Sequence, residues 1–363
     1  MSTKTQQLSI ARIIRETPDA VTLQLAVPEH LKEDFNFLPG QYITLVFEID
    51  GKEERRAYSM SSSPWEDDIS VTVKKVEQGL VSVLINDELK EGAKVKVIPP
   101  QGHFFAAIDS DNQKCYYLFG AGSGITPLMS VISSVLKQEP NSRLFLLYGN
   151  RTEEGIIFRK RLDELVQKYQ ERFQVHYLLT APPKKGGFFG RNKTTWDGGV
   201  GRINEHSVNE FLQQNPCVMS ESEYFICGPG QMIDQVEEVL RKRGIDKKYI
   251  HFERFTSSQT KKVLPQSDVV DGASLIVHLD DERIECSVPK GKTILEALLK
   301  NNIDAPFACK SGVCSSCIAK LKNGEVSMDS SEALDEDEIK HGYILTCQAR
   351  PKSSVVEIDF DDL

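Results

Sequence analysis

Pro306–Cys317, PFACKSGVCSSC, sets three cysteines within twelve residues, and Cys347 follows in Leu345–Ala349, LTCQA. Cys309, Cys314, Cys317 and Cys347 therefore read Cys-x4-Cys-x2-Cys…Cys, the ligand spacing of a plant-type 2Fe-2S cluster. Such a cluster needs four thiolates around two irons. Lys310-Ser311-Gly312-Val313 and Ser315-Ser316 are mostly small, so one loop can wrap three sulfurs around the metal, and the fourth must arrive from another element. Two other uses of cysteine compete with this one. A structural zinc site favours paired Cys-x2-4-Cys knuckles or histidines, and there is no second knuckle. A disulfide set requires an oxidising compartment.

The 363 residues are enough for two or three domains with cores of their own. The first 21 residues, MSTKTQQLSIARIIRETPDAV, alternate as a strand does and lack the apolar stretch of a signal peptide. A cytoplasmic protein is expected, where thiols stay reduced. Cys115–Leu136 is uncharged over a length that could cross a bilayer. Its centre, Gly120–Pro127 (GAGSGITP), holds three glycines and a proline, so strand, glycine loop and helix account for the segment and a membrane span does not. The net charge of −9 is unevenly placed: Glu325–Leu363 carries eleven Asp or Glu against three Lys or Arg. Nucleic acid is not an expected partner of such a chain. A solvated acidic surface is the ordinary use of such a run.

Residues 1–110 contain six short alternating runs, at 8–15, 20–27, 40–49, 55–60, 69–76 and 93–100, separated by turn residues. They predict a small antiparallel β-barrel, with an amphipathic helix over Gly79–Leu89 capping one end. In residues 111–255 strand runs at 115–120, 143–150, 175–180, 224–230 and 249–255 alternate with amphipathic segments at 127–137, 157–169, 205–214 and 231–243. That is the pattern of an α/β domain with a parallel sheet, whose ligands bind at the carboxyl ends of the strands: here GAGSGITP, YGNR and CGPGQM. Lys184–Val200 (KKGGFFGRNKTTWDGGV) interrupts the third crossover and predicts a mobile surface loop. Residues 256–271 read as a linker. In residues 272–363, the runs 274–279 and 283–288 form a hairpin around Asp280-Asp281-Glu282, and Thr293 N-caps a helix over 294–302 ahead of the cysteine loop.

Arg56-Ala57-Tyr58-Ser59 with Ser62, and then Gly79-Leu80-Val81-Ser82, stand before the α/β segment; Gly120–Pro127 and Cys227-Gly228-Pro229-Gly230-Gln231-Met232 stand within it. Alone, each is a weak signal. The glycine loop is not the Rossmann fingerprint, because Ile125 replaces its third glycine. In this order, ahead of the cysteine loop, the segments resemble the Arg-x-Tyr-Ser-x-x-Ser, Gly-x-x-Ser, glycine-loop and Cys-Gly-Pro elements of the ferredoxin-reductase flavoproteins, over essentially the whole chain. The resemblance implies a multidomain protein: an antiparallel β-barrel that binds FAD, an α/β parallel-sheet domain that binds NAD(P), and an α+β (β-grasp) 2Fe-2S ferredoxin domain. It implies that Tyr58 stacks on the flavin ring, that Ser59 hydrogen-bonds it, and that Arg56 pairs with the pyrophosphate, as a guanidinium suits phosphate. The helix starting near Gly79 would turn its free N–H groups to the same phosphates, with Ala57, Ser62, Val73, Lys74, Val81 and Ser82 nearby. Gly122, Gly124 and Thr126 would let a second pyrophosphate approach the next helix, and Cys227, Gly228, Pro229 and Gln231 would border the nicotinamide. Tyr58, Ser59, Cys227 and Glu253 are the expected reacting-site residues. Cys115, Cys217 and Cys286 show no pairing pattern and read as structural thiols.

Discrimination between nucleotides usually follows the second strand of such a sheet. Asn150-Arg151 lies there, with Arg159-Lys160 one helix start later; Glu153 and Glu154 weigh the other way. The arginine suits a 2′-phosphate, so NADPH is expected rather than NADH. A nicotinamide releases two electrons together and a 2Fe-2S cluster takes one, so a flavin must stand between them. The expected path is NADPH to FAD to 2Fe-2S to an oxygenase or another electron-acceptor protein, docking near the acidic ferredoxin domain. FMN in place of FAD, an acceptor such as a desaturase, a Rieske oxygenase or a hybrid-cluster protein, and a redox sensor without steady turnover are the alternatives.

Overall fold

A computed structural model of the chain describes residues 5–185, 193–217, 219, 221–255 and 272–362. Six strands open the chain: β1 (Gln6–Thr17), β2 (Ala20–Ala26), β3 (Tyr42–Ile49), β4 (Lys52–Ser59), β5 (Ile69–Lys74) and β6 (Lys94–Gln101). They pair in the order β4-β3-β6-β1-β2-β5, and a bridge between Met60 and Val71 joins the two edges into a barrel. Asp50 and Gly51, both at positive φ, make the two-residue turn between β3 and β4, the turn whose twist suits a hairpin. Inward residues of the strands, such as Leu8, Leu23, Ile43 and Val71, fill the barrel. Helix α1 (Leu80–Asp87) closes one end by burying Val81 and Ile85.

The second sheet consists of β7 (Lys114–Ala121), β8 (Arg143–Asn150), β9 (Phe173–Leu179), β12 (Gly199–Val200), β13 (Glu221–Gly228) and β14 (Ile250–Arg254), in the order β12-β9-β8-β7-β13-β14. Every pairing is parallel. Helices α2 (Ile125–Gln138), α3 (Arg159–Lys168), α4 (Glu205–Gln214) and α5 (Gly230–Lys242) cover it. Alternation along β7 sends Tyr116 and Leu118 to one face and Cys115, Tyr117 and Phe119 to the other, as a sheet buried on both sides requires. Strand order reverses between β7 and β13, so their carboxyl ends open a crevice. The uncharged stretch 115–136 is therefore β7, a tight glycine turn and α2. No described helix is long and apolar enough to cross a membrane.

Two expectations for this domain need correction. Cys115 and Cys217, read above as separate thiols, form a disulfide between the first residues of β7 and the approach to β13, with Cα atoms 5.8 Å apart. The reading failed because the partners are 102 residues apart and only the pairing of β7 with β13 brings them together. The insertion at 184–200 is also not wholly a loop. Its ends form the hairpin β10 (Lys184–Lys185) and β11 (Lys193–Thr194), and β12 extends the main sheet beside β9. Trp196 packs edge-on against Tyr177, with the Arg159 guanidinium over both rings. Its middle and the linker 256–271 lie outside the described residues.

The third sheet has β15 (Ala273–Leu279), β16 (Glu282–Val288), β17 (Ile318–Asn323), β19 (Tyr343–Leu345) and β21 (Val355–Asp359) in the order β16-β15-β21-β17-β19, with β18 (Val326–Met328) and β20 (Ala349–Pro351) pairing separately. β15 and β21 run parallel and the other pairings are antiparallel. Helix α6 (Ile294–Lys300) lays Leu295 and Leu298 on the sheet, giving the β-grasp arrangement. Thr293 caps it as expected, in a reciprocal pair with Glu296. Asp280 and Asp281, both left-handed, turn the β15–β16 hairpin. Helix α7 (Glu336–Lys340) carries the acidic run and is capped by Asp335 and Glu338 in the same reciprocal way.

Candidate electron-transfer site

Lys310, Gly312 and Ser315 take positive φ and curl the chain between α6 and β17. A side chain at Gly312 would press within about 3 Å of Gln348 and Ser330, so glycine lets the loop lie against the segment that carries Cys347. Gln348 Nε2 donates to the Lys310 carbonyl (3.1 Å) and to Cys347 Sγ (3.3 Å), and Thr346 Oγ1 donates to the Cys317 carbonyl (3.0 Å). The four cysteines gather as two neighbouring pairs, Cys309 with Cys314 and Cys317 with Cys347. The thiol of Cys314 shares its proton with Cys309 and draws Cys309 down to about 5; Cys317 lowers Cys347 in the same manner. Backbone N–H groups of Cys309 and Ser311 point at sulfur, at 3.4 and 3.3 Å. Among the described residues no three His, Cys, Asp or Glu side chains suit a single ion. Two thiol pairs with N–H donors around them instead fit a dinuclear cluster, whose sulfurs carry negative charge.

A cavity of about 360 Å³ opens between β4, β5, the start of α1 and this loop. Arg56, Ala57, Tyr58 and Ser59 of β4 line it, with Gly79, Val81 and Ser82 at the start of α1. Gly79 is the N-cap and no side chain caps the helix, so its first N–H groups remain for an anion. Tyr58 packs against the barrel core, and burial pushes its phenol up. Arg56 is half-exposed and rests on Glu54 at 2.9 Å. An orienting serine, a tyrosine face, a guanidinium and an open helix start are the contacts a flavin nucleotide requires, so the residues fit FAD. Three expected members lie off the cavity wall. Ser62 is fully buried and accepts hydrogen bonds from Ser70 N–H (2.9 Å) and, through its carbonyl, from Ser130 Oγ (2.6 Å), tying barrel to α2. Val73 points into the barrel core. Cys227 is buried under the sheet.

A larger cleft of about 780 Å³ lies at the carboxyl ends of β7, β8 and β13, where the strand order reverses. Gly122, Arg151, Gly228, Pro229 and Gln231 line it. Gly124 sits just beneath: a Cβ there would stand 2.1 Å from the Cys227 carbonyl oxygen, so only glycine allows the two loops to touch. Thr126 faces the flavin cavity instead. Arg159, expected beside Arg151, is engaged elsewhere, bonded to Asp163 at 2.8 Å and stacked on Tyr177. Arg202, which sequence reading missed, takes that place on the cleft wall. Its one sequence signal is the glycine before it at the end of the insertion. The buried Asn150 amide nitrogen has no partner among the described residues. Lys74, Ser123 and Phe255 line both spaces, so cleft and cavity are continuous.

At the other end of the cavity Ser59 Oγ donates to Glu253 Oε2 at 2.9 Å. Burial raises the Glu253 carboxyl to about 8, against a smaller lowering by that hydrogen bond. Glu253 also borders a third space of about 400 Å³, between Lys247 and Lys248 on one side and α7 on the other. Tyr42 of β3 and Gly102–Phe104 supply the barrel side, β14 supplies Glu253, and Val313–Ser315 of the cysteine loop form another wall.

Family models match the chain in the same three pieces: an oxidoreductase FAD-binding domain over residues 7–105, an oxidoreductase NAD-binding domain over 118–238, and a 2Fe-2S iron-sulfur cluster binding domain over 277–352. One component of the 1,2-phenylacetyl-CoA epoxidase of Escherichia coli (strain K12) is 36% identical over 98% of this chain and 97% of its own. The ferredoxin reductase component of 3-ketosteroid-9-alpha-monooxygenase from Rhodococcus rhodochrous is 32% identical over 97% of this chain and 96% of its own. Among solved structures, phthalate dioxygenase reductase shares the fold over 98% of both chains, with a TM-score of 0.58 at 23% identity. The three cofactor-sized features, three matching domain models and full-length relatives agree: the chain is an NAD(P)H oxidoreductase that uses FAD and a 2Fe-2S cluster, and it belongs to the ferredoxin-reductase-type flavoproteins with a carboxyl-terminal 2Fe-2S domain that serve as reductase components of oxygenases.

Proposed function

We propose that this protein is the NADPH-dependent reductase of an oxygenase system of the phenylacetyl-CoA epoxidase type. The continuity of cleft, cavity and cysteine loop supports this reading most directly. Segments RAYS, YGNR, HFERF and GYILTCQARP carry the likeness to that system, along with the full-length match to its Escherichia coli component. When bound, FAD accepts a hydride and releases electrons one at a time. Arg56 and the start of α1 hold its phosphates, Tyr58 lies on its ring, and Ser59 presents a hydroxyl whose proton is shared with Glu253. Gly122, Gly228, Pro229 and Gln231 position the nicotinamide nucleotide beside it, with the neutral Cys227 beneath. Cys309, Cys314, Cys317 and Cys347 hold the cluster. The chain contributes position rather than acid-base chemistry to hydride transfer. Mixing the purified reductase with the oxygenase component, phenylacetyl-CoA and NADPH tests the assignment: coupled NADPH and substrate consumption is expected, and uncoupled oxidation alone would reject this partner.

Nucleotide preference rests on Arg151 and Arg202, both exposed on the cleft wall without side-chain partners among the described residues. Arg151→Ala should weaken NADPH binding by about 1–3 kcal/mol, the worth of a charged hydrogen bond, with NADH nearly unchanged. Arg202→Ala should do the same. Equal losses for both nucleotides would assign these side chains to the pyrophosphate instead.

The acidic helix α7 is the proposed docking rim for the partner. Asp335 and Glu338 are occupied in its cap, and Asp335 lies 3.8 Å from Lys247, so their loss would loosen the helix itself. Glu336 and Asp337 are exposed. The double variant Glu336→Gln/Asp337→Asn should slow electron delivery to the oxygenase at low salt while leaving ferricyanide reduction normal. The defect should shrink above roughly 0.1 M salt, where charges more than about 10 Å apart are screened. Unchanged partner kinetics at low ionic strength would leave the run as ordinary solvated surface.

A further inference from the structure

Tyr42 begins β3 directly opposite Ser59 in the β3–β4 register, and its ring is 3% exposed. Gly102, at φ +111°, makes room for that ring: a Cβ there would stand 2.8 Å from Tyr42 Cε1. The phenol reaches out of the barrel into the ferredoxin domain. It donates to the Cys314 carbonyl at 2.5 Å and lies 2.8 Å from Ser316 Oγ. With one proton already given to the carbonyl, the Tyr42 oxygen takes the Ser316 hydroxyl as donor. Ser316 Oγ in turn stands 3.3 Å from Cys314 Sγ. Tyr42, Cys309, Val313 and Cys314 border one cavity with Tyr58 and Ser59. Thus a single buried side chain links the wall of the flavin cavity to a cluster-ligand residue 272 positions away. A second anchor sits apart from the cavity: Arg55, 6% exposed, bonds Asp304 at 2.9 Å and stacks on Phe307 at 4.3 Å.

We infer that Tyr42 is a positioning residue for electron transfer, holding the Cys314 edge of the cluster loop against the flavin cavity. The inference rests on the cofactor placement proposed above. Tyr42 enters no electron count, since its proton stays in the bond to the carbonyl. Its role is to fix the separation between the cluster loop and the flavin cavity, a cavity that the Arg55–Asp304 contact does not border.

The test is Tyr42→Phe in the holoprotein, which keeps the ring and removes both hydrogen bonds. Amide hydrogen exchange over residues 311–316 should quicken about 5-fold, the effect of losing the one bond to the backbone, that to the Cys314 carbonyl. After mixing with NADPH, cluster reduction should slow on the order of 10-fold relative to flavin reduction in the same sample, as misplaced reaction partners do. Unchanged exchange or unchanged cluster reduction overturns the inference. Loss of flavin, or equal slowing of flavin and cluster reduction, also overturns it, because Tyr42 would then act on the flavin alone. Ser316→Ala removes the second contact of Tyr42 and leaves its bond to the Cys314 carbonyl. If the first variant does not fold, this one should therefore show the same changes in smaller measure, and unchanged cluster reduction in it overturns the inference. Failure of NADPH to reduce the wild-type flavin would instead reject the underlying cofactor reading.

Discussion

Cys314→Ser should abolish the visible absorption of the 2Fe-2S cluster while the protein keeps its flavin and its NAD(P)H-dependent reduction of ferricyanide. Cys314 is one of two thiols in the pair nearest the flavin cavity, and three sulfurs cannot complete the coordination of two irons. The flavin contacts come from β4 and from the start of α1, neither of which shares a ligand with the cysteine loop. What joins the two domains at this point is the Cys314 carbonyl, bonded to Tyr42, and serine leaves a carbonyl in place. Reduction of cytochrome c or of the oxygenase should fall with the cluster, since a protein acceptor takes its electrons from the cluster, whereas ferricyanide is a small ion that can be reduced at the flavin. Absorbance spectra and the two assays decide the matter: if the flavin leaves with the cluster, the domains do not bind their cofactors independently.

Glu253→Gln should make the protein more stable than wild type at alkaline pH and equal to it near pH 4. The carboxyl titrates at about 8 in the folded protein, against roughly 4.3 in an unfolded chain. For an acid raised in this way the unfolded state ionises first. Stability is therefore intact below the unfolded value and is lost progressively as pH climbs to about 8. The full shift corresponds to nearly 5 kcal/mol; with one edge of the carboxylate open to the cavity, we expect on the order of 3 kcal/mol at pH 9. Glutamine keeps an acceptor for Ser59 and has no charge to bury. Thermal unfolding of the two holoproteins from pH 4 to 9 should give melting curves that diverge through this window. Parallel curves would mean that Glu253 ionises freely in the fold.

Local chemistry made much of this protein legible in its sequence. The cysteine spacing named the cluster because ligand geometry constrains spacing within one loop, and Thr293 announced the start of α6 because a cap is a contact over three residues. Alternation and helical periodicity gave the barrel and the parallel sheet, since burial on one face or two writes its period into the chain. Gly120–Pro127 carried the turn into α2 for the same reason.

Contacts between distant segments had to wait for the tertiary structure. Arg159 and Arg202 look equally suitable for a phosphate as letters, but only packing against Tyr177 and Trp196 removes the first from the cleft, and only the return of β12 to the sheet brings in the second. Ser62 and Cys227 sit within motifs that border the site and Val73 on the strand beside it, yet strand alternation and loop closure turn their side chains into the core. The Cys115–Cys217 bond, the Ser59–Glu253 pair and the hold of Tyr42 on Cys314 span 102, 194 and 272 residues. Sequence by itself determined which chemistry each domain bears, because that chemistry is local. The path between those domains was decided by tertiary structure alone, because no residue's neighbours along the chain specify which surface it will meet across a domain boundary.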